Sequence, residues 1–154
     1  MDAKYVNTFL KSTQDIFSQV AQIDLKLSGT SLKNSPISSK NVVIMVGITG
    51  SLKGTVLINM DESLAMKIAS NMMYGMPVTI FDEMAKSAIC ELSNMVMGNV
   101  ATGLSAFGKN TDITPPTLME GNNIKLTVSQ LPLLSIKYRY EEYDLDFDIS
   151  IKEN

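Results

Sequence analysis

Near the middle of the chain a carboxylate and a neutral amide stand one helical turn apart, in the run Ser87-Ala-Ile-Cys-Glu91-Leu-Ser-Asn94-Met-Val-Met-Gly98. The carboxylate accepts hydrogen bonds and carries a charge, whereas the amide both donates and accepts. Spaced at about 100° per residue, Phe81 to Gly108 reads as one long helix. Ala85, Ala88, Ile89, Leu92, Val96 and Phe107 then share a broad apolar face. Opposite runs a narrow stripe of Ser87, Glu91, Asn94, Gly98 and Ser105, stacked because side chains three and four residues apart overlie one another. Met95 and Met97 flank it, and Gly98 leaves room for another backbone. Spacing alone leaves two readings open, a solvated helix face or a functional pair. A solvated face is the commoner arrangement, and that Asn has no capping duty in a helix interior adds a little weight to the second without deciding between them. Asn99 falls nearer the apolar flank and reads as a structural hydrogen-bonder, and Cys90 lies off the stripe as an inert thiol.

Other chemistries are closed by the inventory. There is no His, so triads and zinc sites built on imidazole are excluded. Arg139 is the single Arg, so no guanidinium cluster clamps a phosphate. Cys90 is followed by Glu-Leu-Ser-Asn, not by the Arg-bearing loop that a Cys-based phosphatase needs. Gly108-Lys-Asn-Thr111 lacks the upstream glycine spacing of a phosphate loop. A net charge of −3 and a pI near 4.9 speak against nucleic acid and anionic membranes as partners.

The elements that position the stripe follow from periodicity and punctuation. With 154 residues, 45% of them hydrophobic and 19% charged, one domain spanning 1–154 with a real core is expected. Eleven Met and no Trp give that core, or a contact surface, flexible side chains. Tyr5, Val6, Phe9, Leu10, Ile16, Phe17 and Val20 predict an amphipathic helix over about 3–22. Residues 28–40, rich in Ser, Asn and Lys, read as a loop flanked by a short strand. Asn41 to Gly50 is a mostly buried strand, Gly50 to Gly54 a hairpin turn, and Thr55 to Met60 the returning strand. A second helix begins at Asp61 and stops near Tyr74. Asn110 to Gly121, with Pro115-Pro116, reads as a loop. Strands follow at Ile124 to Val128, Leu133 to Tyr140 and Tyr143 to Ile151. In the last, Tyr143, Leu145, Phe147, Ile149 and Ile151 alternate with Asp144, Asp146 and Asp148, predicting one buried and one solvated acidic face. Without strict βαβ alternation the fold class is α+β, long helices packed on a mainly antiparallel sheet. A single Cys fits a reducing compartment. No basic leader with an apolar run and no apolar span of membrane length are apparent, so a cytoplasmic location without membrane insertion is expected.

Ser87, Glu91, Asn94 and, about twenty residues on, Pro115 and Pro116 together resemble the signature of the CheC/CheX/FliY phosphatases. Gly47-Ile-Thr-Gly-Ser-Leu-Lys-Gly54, Asp112-Ile-Thr-Pro-Pro-Thr117 and Met1-Asp-Ala-Lys-Tyr-Val-Asn-Thr-Phe9 extend the likeness over nearly the whole chain, towards CheX in particular. Two departures stand out. Ser93 occupies a position where many relatives have Gly, and the N-terminal helix lacks a second Glu-x-x-Asn, so one active site per chain is implied.

The resemblance implies a CheC-like fold, a homodimer joined through sheet edges, and dephosphorylation of an aspartyl phosphate on a CheY-like receiver in chemotaxis. It implies that Glu91 and Asn94 are catalytic, Asn94 orienting the attacking water and Glu91 meeting a receiver Lys. Ser87, Gly98, Pro115 and Pro116 would contact the partner. The chain needs no cofactor of its own, and Mg²⁺ is expected in the receiver. An acyl phosphate is already reactive, so holding a water in line and stabilising charge is most of the task. The competing expectations are a non-catalytic module that binds a chemotaxis receptor or flagellar switch component, and a plain structural dimer.

Overall fold

The structure, a computed structural model, describes residues 1–128 and 132–154. Helix α1 (Ala3–Ala21) opens at Asp2, whose carboxylate accepts a hydrogen bond from the Lys4 amide at 3.1 Å. Such a side chain satisfies one of the amides left unpaired at a helix start. Its buried residues Tyr5, Phe9, Thr13, Ile16 and Phe17 recur at helical spacing, and of the expected apolar residues Val6, Leu10 and Val20 are only partly buried. Helices α2 (Glu62–Met72) and α3 (Glu83–Ser105) follow the central hairpin.

The strands are β1 (Lys26–Lys33), β2 (Ile37–Ser38), β3 (Val42–Gly50), β4 (Leu52–Met60), β5 (Thr111–Ile113), β6 (Thr117–Glu120), β7 (Lys125–Leu126), β8 (Leu133–Tyr140) and β9 (Tyr143–Glu153). All pair antiparallel. The main sheet runs β1-β8-β9-β4-β3-β5, and β6 also pairs with β3, while β2 and β7 form a separate two-stranded ribbon. The three helices share one core with the sheet, in which Phe9, Phe17, Ile44, Ile58, Ile89, Val96, Tyr138 and Phe147 are buried together. This is the α+β architecture expected from the sequence, with helices on a mainly antiparallel sheet. No helix among the described residues is long and apolar enough to cross a membrane.

Four expectations are corrected. The stretch expected as a loop with a short strand contains the eight-residue β1, which pairs with β8 from Lys26↔Arg139 to Lys33↔Leu133. Its pairing partner lies over a hundred residues away, and no local pattern announces it. The expected loop at 110–121 instead forms β5 and β6, both on the edge of β3. The strand expected at 124–128 is reduced to Lys125–Leu126.

The acidic face of β9 is the fourth. Asp144 is exposed, but Asp146 is mostly buried and Asp148 fully so. The ribbon of β2 and β7 belongs to a second apolar cluster, Ile37, Val43, Leu57 and Leu133 with Leu126 against it, which lies on this side of the sheet. Lys33 reaches from β1 to Asp146 (2.9 Å) and Asp148 (3.2 Å), and the Asn59 side-chain amide donates to Asp148 at 3.0 Å. Burial pushes the Asp148 carboxyl above its ordinary value, against the lowering pull of the Ser135 hydroxyl and the Lys33 ammonium. Burial lowers the Lys33 amine, but the Asp146 hydrogen bond and both carboxylates outweigh it and leave that amine above its ordinary value.

Candidate functional site

Helix α3 is fixed at its start, along its length and at its flank. Asp82 caps it, accepting the Ala85 amide at 2.9 Å. Glu83 lies in the first turn, where a negative charge complements the helix dipole. Ala85, Ile89, Leu92, Ser93, Val96, Met97, Val100 and Leu104 bury one face. Against that face α1 approaches so closely at Gly103 that a Cβ there would stand 2.7 Å from the Thr8 methyl. Lys86 ties the first turns to β6 through Glu120 (2.5 Å) and also meets Glu83 (3.4 Å). Its ammonium is held above its ordinary value, chiefly by the hydrogen bond to Glu120.

The opposite face of α3 opens onto a groove of about 430 Å³ lined by Ser87, Cys90, Glu91 and Asn94, with Ile113 to Pro116 as its other wall. Ser87, Glu91 and Asn94 are exposed. Among the described residues no ion pair involves Glu91, and Lys86 near the start of the helix pairs with Glu83 and Glu120. A charged acceptor and a neutral donor-acceptor are thus presented side by side to whatever enters. The groove is wide open and its far wall is formed by Ile113, Thr114 and two prolines, which suits a protruding macromolecular surface better than an enclosed small molecule.

The structure therefore brings together Ser87, Glu91, Asn94, Pro115 and Pro116. Gly98 is the exception. It lies one turn beyond Asn94 and does not line the groove, and a Cβ on it would meet nothing of this chain within 4 Å.

Cys90, expected off the stripe, lines the groove, as do Ile113 and Thr114, for which the sequence suggests no site role. Cys90 precedes Asn94 by one turn, and that spacing was the available signal. Burial pushes its thiol up, away from thiolate chemistry. Ser93 turns into the core and donates to the Ile89 carbonyl at 2.9 Å, so the departure from Gly does not touch the groove. Met97 is buried and does not flank the stripe. Asn99 is exposed, with no side-chain hydrogen bond among the described residues. Phe107 leaves the apolar face for solvent, edge-on to Tyr5 at 6.2 Å between ring centres and beneath the Lys4 ammonium.

Residues 42–139 match the family model described as chemotaxis phosphatase CheX. The chain is 35% identical, over 99% of its length and 98% of the relative's, to the CheY-P phosphatase CheX of Thermotoga maritima. A CheC-like superfamily protein from Shewanella sp. PV-4 superposes with a TM-score of 0.89 at 25% identity, covering 99% of both chains. A chain of the CheX-CheY-BeF3-Mg complex from Borrelia burgdorferi superposes with a TM-score of 0.84 at 27% identity, covering 97% of this chain and 98% of that one.

Proposed function

This chain belongs to the CheX family of chemotaxis phosphatases, and from that premise we propose that it hydrolyses the aspartyl phosphate of a CheY-like receiver in the open groove of α3. The observation that carries the proposal is the meeting of Glu91 and Asn94 with Pro115 and Pro116 in one groove. In this reading a water oxygen attacks phosphorus in line. The bond from phosphorus to the aspartyl oxygen breaks, and the receiver carboxylate leaves as inorganic phosphate forms. The Asn94 side-chain carbonyl accepts a hydrogen bond from the water and its amide donates to an oxygen of the phosphoryl group, so the water is held at its approach angle. Charge neutralisation at the phosphoryl oxygens would be supplied by Mg²⁺ held by the receiver's own residues.

Glu91 pairs with a receiver Lys, anchoring the partner in the register that brings its phosphate to Asn94. Pro115 and Pro116 form a stiff wall, since proline fixes its own backbone angle and offers no amide to compete for hydrogen bonds. Ser87 extends the contact one turn towards the start of α3.

The functional unit in this reading is a homodimer paired at β1. That strand ends the main sheet, and Leu27 and Leu32 on it are 50% and 70% exposed. Beside it a groove of about 410 Å³ is lined by Val6, Leu32, Leu134, Ile149 and Ile151, among others. An exposed edge with apolar side chains is a template for a second strand.

The test is the lifetime of a receiver phosphorylated with acetyl phosphate, measured with and without the protein. Substoichiometric protein is expected to shorten it with turnover. An unchanged lifetime alongside phosphorylation-dependent binding would replace the phosphatase by a binding module.

A further inference from the structure

The proline wall is not held by ordinary strand pairing, and what does hold it is a contact between Gly47 and Thr114. Strand β3 receives β5 at Ile48↔Ile113 and β6 at Met45↔Thr117. Three residues, Thr114 to Pro116, therefore stand opposite two, Val46 and Gly47. An excess residue forces the chain to bow out from the edge. The two prolines have no amide to give to β3, so Thr114 is the one residue of the bow that has one. Its amide donates to the Gly47 carbonyl at 3.0 Å, and its side-chain Oγ1 accepts the Gly47 amide at 2.8 Å. Thr114 thus copies a hydrogen-bonded antiparallel pair, with its hydroxyl oxygen where a backbone carbonyl would be. Gly47 is matched to it, since a Cβ there would lie 3.0 Å from Thr114 Cγ2 and 3.3 Å from Oγ1.

We infer that Gly47 and Thr114 form a positioning clamp that sets the Pro115-Pro116 wall against Asn94 and so determines the rate of dephosphorylation, not the affinity for the receiver. The inference rests on the phosphatase reading above. Thr114 is exposed, so a Gly47 amide released from it turns to water at little cost to the fold. The effect then falls on the placement of the wall beside Asn94. Glu91, on the other side of the groove, is unaffected and keeps its anchoring contact.

Thr114→Val keeps the shape and the backbone amide and removes only the Oγ1 acceptor. It is expected to lower the saturating dephosphorylation rate about 10-fold while leaving affinity for a beryllofluoride-activated receiver within about 2-fold. Thr114→Ser, which retains Oγ, is expected to recover most of the rate, and Gly47→Ala to behave like Thr114→Val. Hydrogen exchange at the Gly47 amide is expected to quicken in Thr114→Val and not in Thr114→Ser. If wild type shortens the phospho-receiver lifetime and Thr114→Val does so equally well, the clamp is wrong and the phosphatase reading stands. If rate and affinity fall together, or Ser fails to rescue, Thr114 is a contact or a structural residue and the inference is overturned. A wild-type protein without activity overturns the phosphatase reading and the clamp with it.

Discussion

Asn94 and Pro115 line the same groove, although a helix end, a turn and β5 separate them along the chain. One side chain is an exposed amide on α3, and the other is a proline ring in the connection between β5 and β6.

Asn94→Ala is expected to reduce dephosphorylation by about 10²-fold or more, roughly 3 kcal/mol of transition-state stabilisation. Ala is a better helix former than Asn, and Asn94 is exposed, so the variant should fold at least as well. Affinity for a beryllofluoride-activated receiver should change much less. Full activity in Asn94→Ala would remove it from the chemistry, and a parallel fall in affinity and rate would make it a docking contact.

Glu91 is expected to govern affinity. Glu91→Gln loses an attraction, whereas Glu91→Lys sets like charges against each other, so losses of about 5-fold and about 100-fold in receiver binding are expected. Titration against the activated receiver checks the order. Binding by Glu91→Lys equal to wild type would take Glu91 out of the interface.

Light scattering is expected to give twice the chain mass of 16.9 kDa. Leu32→Lys places a charge on the exposed edge strand, a device that blocks strand addition, and should shift the protein towards the monomer. A mass near that of one chain, independent of concentration, would defeat the dimer.

The cluster of Lys33 with the buried Asp146 and Asp148 makes a stability prediction. Lys33→Met leaves Asp148 without its cation and Asp146 with only the longer Lys137 contact at 3.8 Å, and should cost about 3 kcal/mol, the lower end for a broken buried pair because the Lys33 side chain is 23% exposed. Adding Asp148→Asn should return part of that loss.

The sign of the pH effect follows from the same carboxyl. Asp148 titrates above its ordinary value of 3.8 when folded, so the folded state holds the proton more tightly than the unfolded state does. Its contribution therefore destabilises progressively as pH rises from 3.8 through the raised folded value. Asp148→Asn should remove that slope. Denaturant unfolding across this range measures it, and parallel profiles for wild type and Asp148→Asn would show that the group does not titrate there.

The three helices, the central hairpin and the last two strands were legible in the sequence because each is fixed by contacts repeating every two to four residues. The same local rule put Glu91, Asn94 and Ser87 on one exposed face of α3, since a helix alone decides that much. It could not say that Cys90 joins them, because the width of a groove depends on what stands opposite. Pro115 and Pro116 could be tied to Asn94 only through resemblance, since no periodicity spans a helix end, a turn and a strand.

Tertiary structure alone decided the rest. Asp144, Asp146 and Asp148 alternate perfectly with apolar neighbours, and alternation fixes which residues share a face but not whether water reaches that face. The β2–β7 ribbon and its cluster cover it, and Lys33 answers the buried charge from a strand that the sequence pattern missed. Gly47 and Thr114 are an ordinary turn-former and an ordinary β-branched residue in the sequence. They become partners only because β5 and β6 share one edge of β3 with a residue to spare. Faces are set by backbone geometry within an element, whereas covers, partners and grooves are set by distant segments competing for the same edge, and that competition has no local signature.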